Sequence, residues 1–313
     1  MPKISVIIPC YKAKETIART LHSIAMQSIV DDLEVVIVND CDGVNYDSII
    51  DLARFGDLNI RYITREENGG CGAARNTGIE NATSDYIIFI DADDCFSNCL
   101  ALEVMYNRII AEKADMLVSA FESEMRYKDG ILVRKMVHTP TWMHGKLLRK
   151  QFIIENDLAF DENLRINEDV LFNQLFIDLG AKIAEISMIT VMWRDNPKSV
   201  THQSTYENKK TFVRAALAYI NECDSRNINK DKAILRVLQN LIMIYQYYNI
   251  ILDESPENET DYLSNCKLYW QKCASIVKDI DDDYAKKVFC TIMKEYGDIP
   301  NITFVQFLDK VKA

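Results

Sequence analysis

The sequence predicts an α/β domain with a mainly parallel sheet flanked by helices, followed by an all-helical C-terminal region. Up to about residue 120, short β-branched apolar runs alternate with segments of helical period, as in a parallel sheet with helical crossovers. From about Thr205 onward, helical spacing continues and no strand-like run interrupts it. A length of 313 residues fits roughly two domains of about 150 residues each. We therefore expect one domain over residues 1–204 and a second over residues 205–313.

Five apolar runs predict the strands of the first domain, and they span Ile4–Ile8, Glu34–Val38, Ile60–Ile63, Tyr86–Ile90 and Met116–Phe121. Two segments between them, Glu15–Gln27 and Asn98–Lys113, have helical period; in the first, Ile17, Leu21 and Ile24 share one face. Strands separated by helices favour right-handed crossovers and parallel pairing. Because the strands are apolar throughout, we expect helices to bury both faces of the sheet.

The second domain is predicted to contain helices over Asn208–Asp224, Lys230–Leu252, Tyr262–Lys278, Asp283–Tyr296 and Thr303–Val311. A polar stretch at residues 253–259 separates two of them. Tyr245, Tyr247 and Tyr248 on one of these helices belong either to an interaction face or to the core, and the core is the commoner place for aromatic residues at helical spacing. Formation of a homo-oligomer through this region is left open.

The charge pattern excludes nucleic acid as a partner, because 36 basic and 47 acidic residues give a net charge of −11 and no basic run is present. We expect no transmembrane segment, since polar residues interrupt the longest apolar region, Leu235–Leu252. The N-terminal apolar run is too short for a signal peptide. Nine scattered cysteines without a C-x-x-C pair are typical of reduced thiols. A cytoplasmic location is expected, with peripheral attachment at the inner face of the cell membrane left open.

Polar and glycine-rich segments follow the predicted strands, at the sheet edge where ligands of open parallel sheets bind. These segments are Pro9-Cys10-Tyr11, Asn39-Asp40-Cys41-Asp42, Asn68-Gly69-Gly70 and Asp91-Ala92-Asp93-Asp94. Carboxylates at Asp91 and Asp93 suit a hard divalent cation that also holds a diphosphate. A turn or a helix cap is the commoner role of such a pair when it stands alone. Here it does not stand alone.

Five motifs occur in order between Ile4 and His202. They are Val6-Ile7-Ile8-Pro9-Cys10-Tyr11, the helix ending Thr20–Ser28, Asn68-Gly69-Gly70 leading into Ala73-Ala74-Arg75-Asn76-Thr77-Gly78, Asp85–Asp94, and Lys146–Arg149 with Asn167–Phe172. In this order they resemble the family 2 glycosyltransferases of the GT-A fold, of the type that builds bacterial cell-surface polysaccharides. The family's Asp-Asp-Gly-Ser is replaced by Asn39-Asp40-Cys41-Asp42-Gly43, which keeps the second carboxylate.

The resemblance implies an inverting, metal-dependent hexosyl- or N-acetylhexosaminyltransferase that takes a sugar from a nucleotide donor, with UDP favoured. The acceptor it implies is a hydroxyl of a glycan or lipid-linked glycan. The alternative is a catalytically inactive GT-A protein that binds nucleotide sugars or another partner, in which Asp93→Ala changes nothing measurable. The implied donor-binding residues are Pro9, Tyr11, Asp40, Asn68, Gly70, Arg75, Asp91 and Ala92. By the same resemblance, Asp93 and His202 bind Mn²⁺ or Mg²⁺, and Trp142, His144 and Glu168 lie on the acceptor side.

The resemblance makes Asp169 the candidate general base. A carboxylate within about 3 Å of the acceptor hydroxyl can take its proton as the new bond forms. Glu168 and Asp169 also suit the start of a helix at Val170, where acidic residues are stabilised, and the two roles are compatible. Trp142 is either a stacking wall for a sugar or ordinary packing.

Overall fold

The structure is a computed structural model. It describes residues 2–47, 58–126, 130–197, 199, 205–252, 255–277 and 304–312. The chain divides into two compact units, residues 1–197 and 198–313. The predicted boundary between residues 204 and 205 stays a proposal, because residues 200–204 lie outside the described part of the chain.

The first unit is built on one sheet. Within the described residues its strands are β1 (Ile4–Cys10), β2 (Leu33–Asn39), β3 (Asn59–Thr64), β4 (Tyr86–Phe89), β5 (Cys95–Phe96), β6 (Met116–Arg126), β7 (Leu132–Val137), β8 (Lys146–Arg149) and β9 (Ile183–Trp193). Their order is β3-β2-β1-β4-β8-β6-β9-β5, and β7 pairs with β6. The pairs that join β1, β2, β3 and β4 are parallel, as is that of β6 with β9. Strands β5, β7 and β8 run antiparallel to their neighbours.

The described helices of this unit lie between strands in the order of the chain. They are α1 (Ile17–Ala25), α2 (Cys71–Asn81), α3 (Ala101–Glu112), α4 (Lys150–Glu155) and α5 (Glu168–Asp178). On α1, Ile17, Leu21 and Ile24 are fully buried, as the periodicity predicts. Helix α2 approaches β1 so closely that a Cβ at Gly78 would lie 2.2 Å from Ile7 Cγ2. Glycine is therefore required at position 78. Helix α2 starts directly after the glycine turn that follows β3.

The expectation that both faces of every strand are buried is wrong for β3. The side chains of Asn59, Arg61 and Thr64 on this strand are exposed. Within the described residues, strand β3 is the edge of the sheet and pairs with β2 alone, so part of its surface is in contact with solvent. Strands β1 and β2 are buried along their full length, as expected.

The second unit is helical, as the sequence predicts. The described helices are α6 (Thr205–Arg226), α7 (Lys230–Ile251), α8 (Pro256–Val277) and α9 (Phe304–Lys312). The helix predicted over Asp283–Tyr296 lies outside the described residues. Tyr245 and Tyr248 are buried and pack against Phe307, so these two tyrosines belong to the core. Among the described residues, no helix has both the length and the apolar character that a membrane crossing requires.

Candidate active site

The turn between β3 and α2 is held by the carboxylate of Asp40, at the end of β2. Oδ1 of Asp40 accepts the Gly69 N–H at 2.9 Å, and Oδ2 accepts the Gly70 N–H at 2.7 Å. The Asn68 amide donates to the Asp40 carbonyl at 3.0 Å, and Arg65 Nε lies 3.0 Å from Oδ1. Asp40 is only 2% exposed, so this structure gives its carboxylate the task of shaping the glycine turn. The implied contact of Asp40 with a nucleobase stays a prediction.

Gly70 is the residue that the backbone of this turn requires. Its φ is +88°, in the left-handed region that favours glycine, and it precedes the first residue of α2. A Cβ there would lie 2.7 Å from Nη1 of Arg165, which also donates to Asn68 Oδ1 at 3.1 Å. Three of the residues implied in donor binding, Asn68, Gly70 and Asp40, are therefore parts of one turn.

Arg75, on α2, joins two acidic residues from different elements. Its Nη1 lies 2.7 Å from Glu168 Oε1 at the start of α5, and its Nη2 lies 2.9 Å from Asp91 Oδ1 after β4. The Arg75 side chain is only 4% exposed. Burial alone would raise the pKa of Asp91, but the positive charges of Arg75 and His144 hold it below its ordinary value. The guanidinium is thus directed at carboxylates of the protein itself.

Glu168, assigned to the acceptor side by the resemblance, is buried and is one of the two carboxylates that pair with Arg75. Burial raises the pKa of Glu168 to about 7; the charge of Arg75 opposes the rise, and that of Asp169 adds to it. The structure therefore places Glu168 against Arg75, and a direct contact with the acceptor stays a prediction.

Asp91, Asp94 and His144 form the acidic group nearest the end of β4. One ligand atom from each of them lies within 4.8 Å of the others. His144 Nε2 is 3.2 Å from Asp94 Oδ2, and Asp94 Oδ1 accepts the Arg194 N–H at 2.9 Å. Two carboxylates and an imidazole are a donor set that suits Mn²⁺ and other divalent ions, so these residues fit the implied cation. His144 thus lies beside Asp94, although the resemblance assigned it to the acceptor side.

The charges of this group are balanced within the protein. Burial raises the pKa of Asp94 to about 6, although His144 opposes the rise. Burial alone would lower the pKa of His144, but the Asp94 carboxylate holds it above its ordinary value. A bound divalent cation would add positive charge beside these carboxylates.

Asp93, the metal ligand implied by the resemblance, has a different partner. Its Oδ2 accepts the Asn196 amide at 2.6 Å, and its main-chain carbonyl accepts the Arg19 guanidinium. Burial and the negative charge of Asp91 raise the pKa of Asp93. Ala92, between the two aspartates, is buried. The other implied ligand, His202, lies outside the described residues.

Asp169 is held from two sides in the first turn of α5. Its Oδ2 accepts the Met143 N–H at 3.0 Å, and its Oδ1 accepts the Val170 N–H at 2.9 Å. Asp169 as a residue is half-buried. This geometry is compatible with both predicted roles, because a helix start fixes the carboxylate while the residue is not fully buried.

An aromatic cluster lies next to His144. Its ring centroids are separated by 5.9 Å for Phe121 and Trp142, 5.0 Å for Phe121 and His144, 5.3 Å for His144 and Trp193, and 5.9 Å for Trp142 and Trp193. Trp142 keeps 40% of its surface exposed, which is the property that a stacking surface needs. Trp193, at the end of β9, was not predicted as a site residue. The sequence feature that could have indicated it is its position at the end of an apolar run.

Lys146 is the second site residue that the sequence did not reveal. It is fully buried on β8, and its Nζ donates to the His144 carbonyl at 2.8 Å. Burial lowers the pKa of Lys146 to about 7, although Asp169 and Glu185 oppose the change. Only the Lys146–Arg149 motif pointed to this strand, and it gave no role for the lysine.

Pro9 and Tyr11 lie at the end of β1. Pro9 is buried within the strand, whereas Tyr11 is 50% exposed, with Lys12 Nζ 5.1 Å from its ring centroid. An exposed ring at the ligand-binding edge is suitable for a nucleotide base. That contact stays a prediction.

The family comparison decides what this sheet edge belongs to. The family model for glycosyl transferase family 2 matches residues 5–163, which include β1, the glycine turn, Arg75 and the Asp91–Asp94 segment. The chain belongs to this family. The family predicted from the five motifs is thereby confirmed.

Two named relatives and a solved structure agree with this assignment. "Uncharacterized glycosyltransferase EpsJ" of Bacillus subtilis (strain 168) is 26% identical over 225 residues, which are 64% of this chain and 63% of EpsJ. The poly(ribitol-phosphate) beta-N-acetylglucosaminyltransferase TarS of Staphylococcus aureus strain Mu50 is 26% identical over 257 residues, 76% of this chain and 44% of TarS. This chain therefore spans less than two thirds of the length of either relative.

The crystal structure of S. aureus TarS 1–349 in complex with UDP-GlcNAc has the same fold. Its TM-score is 0.72 at 19% sequence identity, and the match covers 94% of this chain and 91% of that one. The predicted fold class, a GT-A α/β domain with a helical C-terminal region, is confirmed by this likeness and by the sheet order.

Proposed function

We propose that this family 2 member is an inverting glycosyltransferase that moves a sugar from a UDP-sugar to a hydroxyl of a bacterial cell-surface glycan. One observation carries the proposal: Arg75 brings the acidic segment after β4 to the helix start that bears Asp169. A donor site and a base on adjoining elements are what a one-step displacement needs. The UDP-GlcNAc bound to the TarS structure and the polymer named in the TarS description support this donor and acceptor class.

Asp169 is the proposed base. The acceptor oxygen attacks the anomeric carbon of the donor sugar, the bond from that carbon to the diphosphate oxygen breaks, and the hydroxyl proton passes to the Asp169 carboxylate. The hydrogen bond from the Met143 N–H aims the carboxylate, and the residue as a whole is half-buried. The nucleoside diphosphate leaves with the electron pair of the broken bond.

Asp91, Asp94 and His144 are proposed to hold the divalent cation, with Asp93 as the further ligand that the resemblance implies. Bound Mn²⁺ or Mg²⁺ supplies positive charge that stabilises the leaving diphosphate. The exposed Trp142 is proposed to stack on a sugar ring beside this group. The eight described cysteines form no disulfide with one another, which agrees with the proposed cytoplasmic location, where nucleotide sugars are also found.

The test is sugar transfer by the purified chain. The assay uses UDP-GlcNAc and UDP-glucose with Mn²⁺ and soluble acceptors that end in a hexose, an N-acetylhexosamine or ribitol phosphate. We expect UDP release that depends on the acceptor, together with a product heavier by one sugar. Binding of UDP without transfer to any acceptor, unaltered by Asp169→Asn, would instead identify a nucleotide-sugar-binding protein.

A further inference from the structure

We propose that Arg75 is a positioning residue, which fixes Asp91 and the first turn of α5 relative to each other, and that it does not contact the donor phosphates. This inference rests on the proposed function, because Asp91 is assigned there to the cation and Asp169 to the acceptor. It differs from the role that the family resemblance implies for Arg75, which is a charge offered to the donor.

The contacts of Arg75 support positioning. Its two terminal nitrogens each lie within 3.0 Å of a carboxylate, Nη1 against Glu168 and Nη2 against Asp91. The Phe160 ring, with its centroid 5.5 Å from the guanidinium carbon, covers the same group. The side chain is 4% exposed and its Nε, which has no hydrogen-bond partner, is buried as well, so this structure offers a phosphate little access to the guanidinium.

Burial of these three charged groups is energetically unfavourable for a contact that only stabilises the fold. A buried ion pair rarely stabilises a fold more than apolar side chains of the same size would, because each charge loses its hydration. A planar guanidinium, however, fixes the distance and the direction between two carboxylates at once. The contacts of Arg75 therefore fix the relative position of two parts of the site that must act together, the segment that bears Asp91 and the start of α5.

The link extends to Asp169 through the backbone of α5. Asp169 directly follows Glu168, whose carboxylate is anchored on Arg75, while the Met143 N–H holds the Asp169 carboxylate from the other side. Loss of either contact with Arg75 therefore frees Asp91 and the start of α5 from each other. Arg75→Lys and Glu168→Gln each alter one partner of the Arg75–Glu168 ion pair. Both substitutions nearly preserve side-chain volume.

The test measures binding of UDP to the full chain, with and without Mn²⁺, by calorimetry. The variants are Arg75→Lys, Glu168→Gln and the double variant, with Arg108→Lys as control, because Arg108 is an exposed helix arginine that pairs with Glu112 on the surface of α3. We expect both single variants to weaken Mn²⁺ binding in the UDP complex by about tenfold, as positioning residues around metal ligands do. We expect the double variant to be no weaker than the weaker single variant, because both remove one link.

Binding of UDP without metal separates positioning from phosphate contact. Positioning predicts that metal-free UDP affinity stays within about threefold of wild type in Arg75→Lys. A tenfold or larger loss of metal-free affinity in Arg75→Lys but not in Glu168→Gln would show that Arg75 contacts the phosphates and would overturn the inference. Unchanged Mn²⁺ binding in both variants would also overturn the inference.

Transfer kinetics give an independent readout. We expect kcat to fall by about tenfold or more in both variants while the donor KM in saturating Mn²⁺ changes little. If the wild-type chain transfers no sugar to any acceptor, the proposed transferase activity fails, but the metal-dependent binding experiment still decides the role of Arg75.

Discussion

The carboxylate of Asp169 and the backbone N–H of Met143 are joined by a hydrogen bond of 3.0 Å. The residue after Met143 is His144, whose imidazole lies 3.2 Å from Asp94. One short segment between β7 and β8 thus touches both the proposed base and the acidic group proposed to bind the cation. Lys146 also contacts this segment, because its Nζ donates a hydrogen bond to the His144 carbonyl.

Replacement of the proposed base tests the chemical step. Asp169→Asn keeps the side-chain volume but removes the proton acceptor, so we expect kcat for transfer to fall by about 10²–10⁴-fold. UDP affinity with Mn²⁺ should stay near that of wild type. The control is Asp85→Asn, an exposed aspartate that precedes β4. Wild-type turnover in Asp169→Asn would exclude this residue as the base.

His144 tests which side chains bind the cation. His144→Gln removes the imidazole from the group with Asp91 and Asp94, and we expect Mn²⁺ affinity in the UDP complex to fall by about tenfold or more. His22→Gln, an exposed histidine on α1, is the matched control. Calorimetric titration of Mn²⁺ into the UDP complex measures the change. If His144→Gln binds Mn²⁺ like wild type, His144 is not a ligand of the cation.

Lys146 predicts a pH dependence of stability. Its pKa falls from an ordinary value of 10.5 to about 7 in the folded chain because it is buried, so between these values the unfolded chain binds the extra proton. The contribution of Lys146 to the free energy of unfolding therefore rises as pH increases from 7 to 9. Relative to Lys146→Met, wild type should gain on the order of 1–2 kcal/mol over this interval.

Denaturant unfolding at pH 7, 8 and 9 measures this difference. Lys135→Met, at an exposed strand lysine on β7, is the control and should show no such change with pH. A constant difference between wild type and Lys146→Met at all three pH values would contradict the assigned environment of Lys146.

Gly78 tests the close contact of α2 with β1. A Cβ at this position would meet Ile7 Cγ2 at 2.2 Å, so Gly78→Ala forces the helix and the strand apart. We expect the free energy of unfolding to fall by about 1–3 kcal/mol, although alanine favours a helix by roughly 1 kcal/mol over glycine. Glu80→Ala, on the exposed face of the same helix, should change it little. Equal stability of Gly78→Ala and wild type would show that the contact relaxes freely.

The parts of the fold that the sequence predicted are those with long apolar runs. Strands β1 and β2 begin and end within a few residues of the predicted bounds, because continuous burial leaves a continuous apolar signal. The same holds for helices α1 and α3, because one buried face leaves a helical period. Of the four described strands that were not predicted, β9 carries many apolar residues, but the other three lack that apolar signal. Strand β5 has two residues, β8 begins with a lysine, and β7 is exposed along most of its length. Only pairing with distant strands makes these segments extended.

The site was predicted as a set of strand-end residues, but its connections were not. Asp40 with Gly70, and Asp91 with Asp94, lie at the ends of parallel strands, where topology alone brings ligand-binding residues together. The contact of Arg75 with Glu168 joins residues 93 positions apart, and no periodicity in the sequence indicates it. The same holds for His144, which reaches Asp94 only because β8 inserts between β4 and β6.

The most direct test of the proposed nucleotide and cation site is the thermal stability of the chain with UDP, with and without Mn²⁺, in wild type and in Asp91→Asn. A bound ligand at about 100 times its Kd stabilises a protein by roughly 2.7 kcal/mol, which raises Tm measurably. We expect a Tm increase with UDP that grows with Mn²⁺ in wild type, and loss of the Mn²⁺-dependent part in Asp91→Asn. No change in Tm with UDP, GDP, CDP or dTDP, with or without Mn²⁺, would contradict it.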